Sequence, residues 1–540
     1  MHQIEALVDF IQCQCVRDHR IDLDFAVHIP VDNLGDISPP LCAAKSSTAP
    51  IAAGVMIFNA FAAFNAGNAP TWIVGLGPVD LSLMRIDRLA MLWGYVFCLA
   101  GVLNAIYAFH EKCRITDSSA LIYMGAAVSG VFVGDFLTLF IFWEMAAISS
   151  VMLVWKGGEG SFPAGVRYLA IHVLSGVLLL AGAVMYGRAN GGDYSIAHVG
   201  LENPGGLLLL LAMGIKCGFP FLHNWIQDAY PKASITGTVI LSAFTTKLAL
   251  YALARCFAGE DILIYIGAIM TCFPVFFAVV ENDLRRVLAY SLNNQLGFMV
   301  CGIGIGSALA MNGVVGQVFV HVIFKGLLFM SIGAVMYRTG TAKASELGGL
   351  FRSMPYTTVF CLIGAASIAA MPLFAAFVTK AMILAAAVYD HQYLAFLMML
   401  FASAGVMEHS GIKVPHFTFF AHDSGRRVKE APWNMLAAMG IAGFLCIYLA
   451  WPFGGYQQLY DLMPFPMDKP YKPYTVDHVV FQMQLLFAAI FAFTLLKRFK
   501  LYPAERRAEI LDVDWLYRKL GLNVAGWGSA MWTRLSVNTT

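Results

Sequence analysis

The stretch GLLLLLAMGIKCGFPFLHNW, residues 206–225, decides the fold. A helix needs about 20 residues to cross roughly 30 Å of hydrocarbon, and this stretch supplies that length with Lys216 as its one formal charge. It also carries its own interruption. Pro220 follows Lys216 at the spacing where its ring collides with the Lys216 carbonyl and one helical hydrogen bond is lost, and Gly218 adds backbone freedom beside the break. Irregular backbone at membrane depth is tolerated only where it faces protein or a water-filled cavity. The expectation is a broken transmembrane helix that brings an amine and a freed carbonyl together.

Apolar runs of this kind recur along the chain. Further spans are predicted near 49–66, 88–110, 119–135, 136–155, 165–186, 233–256, 262–281, 287–305, 310–337, 356–371, 372–389, 391–408, 433–453 and 477–499, with 356–389 open between one long broken helix and two short ones. Of 540 residues 59% are hydrophobic and 13% charged, and the mean hydropathy of +0.69 means more apolar surface than one soluble core can hide. The fold class is therefore all-α, a polytopic membrane protein. A net charge of +2 argues against a nucleic-acid partner, and 11 cysteines scattered mostly through apolar runs argue against a disulfide-built secreted domain. Cys13 and Cys15 have the wrong spacing for a zinc or iron–sulfur knuckle, so no metal is expected.

Alternate loops are basic. Lys112 and Arg114, Lys156 and Arg167, Arg285 and Arg286, then Arg338, Lys343 and Arg352 fall on one side, which the positive-inside rule assigns to the cytoplasmic face of the cell's inner (plasma) membrane. Past 356–389 the alternation no longer decides the side of the basic loop 413–429. Residues 1–47 hold Asp9, Asp18, Asp22, Asp24, Asp32 and Asp36 without an apolar run long enough for a helix. They lack the basic-then-apolar order of a signal peptide and are read as a disordered polar segment or a start site assigned too early.

Function is sought in the ionisable residues that sit where they are expensive. Glu144 lies in the middle of 136–155, Lys216 in 206–225, Lys247 in 233–256, Lys325 in 310–337 and Lys380 in 372–389. Left alone, these charges would cost on the order of 12–17 kcal/mol together, more than a typical fold's net stability, so each must be paired, hydrated or transiently neutral. Pro372 precedes Lys380, so a second interruption stands near a second buried lysine; two such segments in the two halves of a transporter point to inverted repeats. Blander readings stand beside these. Lys247 is placed to snorkel if its span shifts. His321 and Lys325, four apart on one helical face, fit a proton relay or a structural polar contact equally. His172 and His223 are read as satisfied interhelical hydrogen bonds, and GIGIGS at 302–307 as small-residue helix packing, since no strand precedes it.

The segments KCGFPFLHNWIQDAYPKASITGTVILSAFTTKLALYALARCF (216–257), ENDLRRVLAYSLNNQLGFM (281–299) and HVIFKGLLFM (321–330) resemble the proton-conducting membrane subunits shared by respiratory complex I and the multisubunit Mrp-type cation/proton antiporters. The resemblance runs from about residue 86 to 520. FWEMAAISSVMLVW, RTGTAKASELGGLFRSMP and LDVDWLYRKLG look most like antiporter subunits of the D type. It implies about fourteen helices, with two five-helix units of opposite topology each forming a half-channel around a broken helix. On that pattern Glu144 pairs with Lys216 of the first break, Lys247 connects, Lys325 with His321 forms the central relay, and Lys380 ends the second break. LFAAF at 373–377 departs from the pattern, which has a Ser-Gly or Ala-Gly before the Phe, and the polar 1–47 stretch takes the place of a first hydrophobic helix.

The expected organisation is a polar segment 1–47, N-terminal helices 48–118, a first half-channel repeat 119–256, a connecting helix 257–286, a second repeat 287–408, a C-terminal loop and helices 409–499, and an amphipathic tail 500–540. The expected function is ion translocation in a multisubunit Na+/H+ antiporter, the alternative being a proton-pumping membrane subunit of an NADH:quinone oxidoreductase-like or hydrogenase-like complex. A third reading is a structural subunit with a degraded relay; retention of all five charged positions argues against it. Nothing in the sequence binds NADH, flavin, quinone or metal, so no cofactor is expected and redox work would fall to partner subunits.

Overall fold

The computed structural model describes residues 72–76, 79–111, 113–467 and 469–503, together with Asp512, Val513, Trp515 and Gly526. The predicted span 49–66, the segment 1–47 and most of the tail 500–540 lie outside the described residues. An antiparallel hairpin, β1 (Trp72–Leu76) and β2 (Val79–Met84), opens the described residues and was not expected from the sequence. Asp135 holds it in place. The buried Asp135 carboxylate accepts from the Ser82 N–H (2.7 Å) and at the same time caps the next helix through the Thr138 N–H (2.7 Å).

The helices follow in the order α1 (Arg88–Tyr107), α2 (Arg114–Phe132), α3 (Phe136–Trp155), α4 (Ser161–Ala189), α5 (Gly206–Cys217), α6 (Asn224–Ala229), α7 (Ile235–Ala243) and α8 (Thr245–Cys256). Then come α9 (Asp261–Val280), α10 (Leu284–Ile305), α11 (Ala308–Thr339), α12 (Pro355–Ile368), α13 (Ala375–Tyr389), α14 (Tyr393–Val406), α15 (Trp433–Tyr448), α16 (Gly455–Asp461) and α17 (Val476–Arg498). Among the described residues nine helical segments are long and apolar enough to cross a membrane, and α5, α12, α13 and α15 are shorter apolar helices. Expected ends moved by a few residues because carboxylate and hydroxyl caps, Asp87 for α1, Asp283 for α10 and Thr475 for α17, set where backbone N–H groups are satisfied.

Four of the predicted spans are broken or extended. The 206–225 span divides into α5 and α6, as the proline argument requires. The 356–389 stretch is two helices, separated at residues 369–374, where Ala370 (φ 56°) and Leu373 (φ 74°) take left-handed backbone. The 233–256 span, expected continuous, is interrupted at Phe244 between α7 and α8. The 391–408 span continues instead as π-helical turns, Met407–Lys413 and His416–Phe420, so much of the expected loop 413–429 is helical. Arg285, read as a loop charge, is buried, its guanidinium donating to the carbonyls of Ala233 (2.8 Å) and Ser234 (3.2 Å).

The long helix α11 runs through the interior, almost wholly enclosed, whereas α17 lies at the periphery with most of its surface exposed. Outward faces are apolar: Ile148, Val177, Phe276, Leu397 and Phe487 are all more than half exposed, as a lipid-facing surface requires. GIGIGS ends α10, and a Cβ at Gly304 would stand 2.5 Å from the backbone nitrogen of Ile264, so this motif serves close packing of α10 on α9.

Candidate functional site

The first break is built by Gly218, Pro220 and Phe221. Gly218 closes α5 at φ 74°, and a Cβ there would lie 2.7 Å from the Asn293 Oδ1 and 2.8 Å from the Ile226 Cδ1. Phe221 follows at φ 68°, and the indole N–H of Trp225, from the far side of the break, donates to the Ile215 carbonyl at 2.8 Å. The broken segment is thus tied back onto itself. Lys216, on the last turn of α5, is buried; its Nζ donates to the Trp143 carbonyl (2.9 Å) and stands 4.2 Å over the Trp143 ring. Trp143 is fixed in turn, its indole N–H donating to the Ser175 Oγ (3.1 Å), which donates to the Ala212 carbonyl (2.7 Å).

Glu144 is adjacent in sequence to the residue that binds Lys216, yet the two charged groups form no direct ion pair. The Glu144 Oε1 is buried without a hydrogen-bond partner and rests against Gly176 of α4, a position where a Cβ would strike it. The carboxylate lies within electrostatic reach of Lys216 but not in contact with it. The reason is helical geometry: consecutive residues of α3 project about 100° apart, so Trp143 faces α5 and Glu144 faces α4.

Lys247 is fully buried rather than snorkelling. Its Nζ donates to the Ser242 carbonyl (2.6 Å) and the Thr246 Oγ1 (3.2 Å). The interruption at Phe244 frees the Ser242 carbonyl to serve as an acceptor. His321 and Lys325, on one face of α11, are both fully buried; neither ring nitrogen nor the Lys325 Nζ has a hydrogen-bond partner among the described residues. That is not the structural polar contact of the blander reading. Electrostatically, Lys247 acts on both His321 and Lys325. Lys380, on α13 past the second break after Pro372, is buried, has no hydrogen-bond partner for its Nζ, and lies 4.2 Å over the Phe298 ring.

The two histidine expectations need correction. His172 makes no hydrogen bond; its ring packs between Tyr168 (4.1 Å) and Trp225 (4.5 Å). His223 does find a partner, but in the C-terminal segment: its Nε2 lies 3.3 Å from the Asp512 Oδ2. Three further polar features escaped the sequence reading. His409 and Lys413 are buried on the π-helical turns, the Lys413 Nζ donating to the carbonyls of Val279 (2.6 Å) and Glu281 (2.7 Å). His409 lies within reach of the charges of Lys325, Lys413 and Lys380. A buried chain leads away from Lys380: Thr379 Oγ1 donates to Gln317 Oε1 (2.6 Å), and Gln317 Nε2 to Gln295 Oε1 (3.1 Å). The available signal was polar residues inside apolar helices; neutral amides carry too little charge to have been singled out.

Residues 133–406, which contain both breaks and every one of these lysines except Lys413, match the family model described as NADH:quinone oxidoreductase/Mrp antiporter, TM. The chain belongs to this family. It is 29% identical over 360 residues to the D-type subunit of the Na(+)/H(+) antiporter of Alkalihalophilus pseudofirmus, covering 62% of this chain and 72% of that one. It is also 29% identical over 431 residues to the A-type subunit of the antiporter of the same organism, covering 70% of this chain and 53% of the relative, so it spans about half of that longer protein. A chain of the Mrp complex from Dietzia sp. DQ12-45-1b shares the fold, with a TM-score of 0.69 at 19% identity over 82% of this chain and 95% of that one.

Proposed function

We propose that this chain is the ion-translocating membrane subunit of a multisubunit antiporter in the plasma membrane, moving protons through Glu144, Lys216, Lys247, His321, Lys325 and Lys380 in exchange for Na+ or another monovalent cation. The observation that carries the reading is an enclosed series of ionisable groups, two of whose lysines stand beside helix breaks, at 218–223 and 369–374. Burial disfavours an ammonium and a nearby carboxylate favours it, so a small movement of Glu144 relative to Lys216 switches the lysine between loaded and empty. Each subsequent lysine then holds the proton only part of the time, because like charges at close range exclude one another.

In this reading residues 119–256 and 287–408 are two half-channel repeats of opposite topology, joined by 257–286, within a fold of about fourteen helices. The recurrence of a short apolar helix, a left-handed break and a buried lysine in each unit supports it. Other membrane subunits are the expected partners. Lys216→Ala in the assembled complex is expected to abolish proton-coupled Na+ transport in everted vesicles while leaving protein levels normal. Undiminished antiport at normal levels overturns the relay. A complex that co-purifies with flavin or iron–sulfur subunits, in place of small antiporter subunits, assigns the same relay to a redox-driven pump.

A further inference from the structure

Beyond the last apolar helix, one residue of the C-terminal segment reaches back to the first break. Asp512 is almost completely buried, and its Oδ2 accepts from the Tyr290 hydroxyl (2.8 Å) and faces the His223 Nε2 at 3.3 Å. Its Oδ1 accepts from the Val513 N–H at 2.6 Å. His223 is the N-cap residue of α6, directly after the left-handed turn at Phe221, and its ring packs on Phe273 at 4.5 Å. Tyr290 is held from the other side by stacking on Phe277 at 5.4 Å. The carboxylate is therefore clamped between α10 and the broken helix.

We propose that Asp512 is the buried counter-charge that holds His223, so that the C-terminal segment positions the imidazole at the first break and controls proton loading of the Lys216 half of the relay. This rests on the function proposed above and adds to it a positioning residue outside the transmembrane helices. An unpaired buried charge is costly, so the partners of the Asp512 carboxylate are not neutral to lose. Burial by itself raises the Asp512 carboxyl, but the hydrogen bond and charge of His223, with the Val513 N–H and the Tyr290 hydroxyl, hold it below the usual carboxylate range. It stays ionised at physiological pH, as a counter-ion must. Among the described residues the other charged groups acting on this cluster are Glu281 and Arg286, which bear on Tyr290 and are paired with each other at 3.5 Å.

The test compares wild type, Asp512→Asn, Asp512→Glu and His223→Gln in the full complex, with proton-coupled transport measured across pH in vesicles and protein levels checked. With the buried anion removed, the cluster loses the charge that favours an added proton, so the alkaline limb of the Asp512→Asn profile is expected to move to lower pH. Asp512→Glu restores the wild-type limb, and Asp512→Asn adds no further shift in the His223→Gln background. A structural brace alone would lower the maximal rate without moving the limb, and that outcome overturns the proposal. So does an Asp512→Asn profile identical to wild type while Lys216→Ala is inactive. A wild-type complex that transports nothing, by contrast, removes the antiporter function on which both stand.

Discussion

A buried ammonium persists only where something answers its charge, and the lysines here are answered unequally. Lys413 donates to backbone carbonyls at 2.6 and 2.7 Å, and Lys247 to a carbonyl and a hydroxyl, whereas Lys325 and Lys380 have ring faces at 5.8 and 4.2 Å and no acceptor among the described residues. Lys413, outside the proposed relay, is suited to fixed charge, and the poorly served Lys325 and Lys380 to holding a proton briefly. Glu144 and Lys216 lie between these cases, within electrostatic reach of each other without touching. Glu144→Gln is expected to slow transport first on the alkaline side of the pH profile, because the lost carboxylate favours the loaded lysine. Glu144→Gln combined with Lys216→Ala should be little worse than Lys216→Ala alone. Vesicle assays of both singles and the double decide it: residual activities that multiply mean that the two residues act independently.

At the scale of elements, interruptions set where the lysines are served. The break after α5 leaves carbonyls of its last turn without intrahelical donors, and the Trp225 indole N–H, given to the Ile215 carbonyl, together with the turn at 219–222 restores part of the balance. The stop at Phe244 supplies the carbonyl that Lys247 uses, and the π-helical turns of 407–413 point Lys413 at the carbonyl end of α9. Gly218 is an unforgiving position at the first break, since it combines φ 74° with two neighbours inside 3 Å of a would-be Cβ. Gly218→Ala is expected to destabilise the assembly by about 1–3 kcal/mol, from the left-handed backbone and the displaced Asn293 and Ile226. Thermal unfolding in detergent should show a lower midpoint and vesicles a reduced rate; an unchanged midpoint and rate would mean that the break relaxes freely.

At the scale of the whole molecule, the polar interior and apolar exterior are reversed in emphasis from a soluble protein. Amides, histidines and lysines line the inside of the bundle, while Phe276, Leu397 and Phe487 face outward. The proposed function gives part of that exterior to partner subunits rather than lipid. The chain produced without its neighbouring subunits is accordingly expected to insert but to show no Na+-dependent proton movement in vesicles, with activity regained on co-expression. Full antiport by the isolated chain would make the assembly dispensable for transport.

The amino-acid sequence by itself determined the class of fold, the first break and the lysines, because those rest on local physics: the length of an apolar run, the steric conflict of Pro220 with the Lys216 carbonyl, and the cost of a charge in hydrocarbon. Only the tertiary structure decided what each charge meets. That Glu144 turns from Lys216 towards Gly176, that His172 lies between rings, that Phe244 frees a carbonyl for Lys247, and that Asp512 answers His223 all depend on which elements pack together. Asp512 and His223 lie 289 residues apart. No local pattern links residues at that distance, since the contact exists only once the C-terminal segment has found the break.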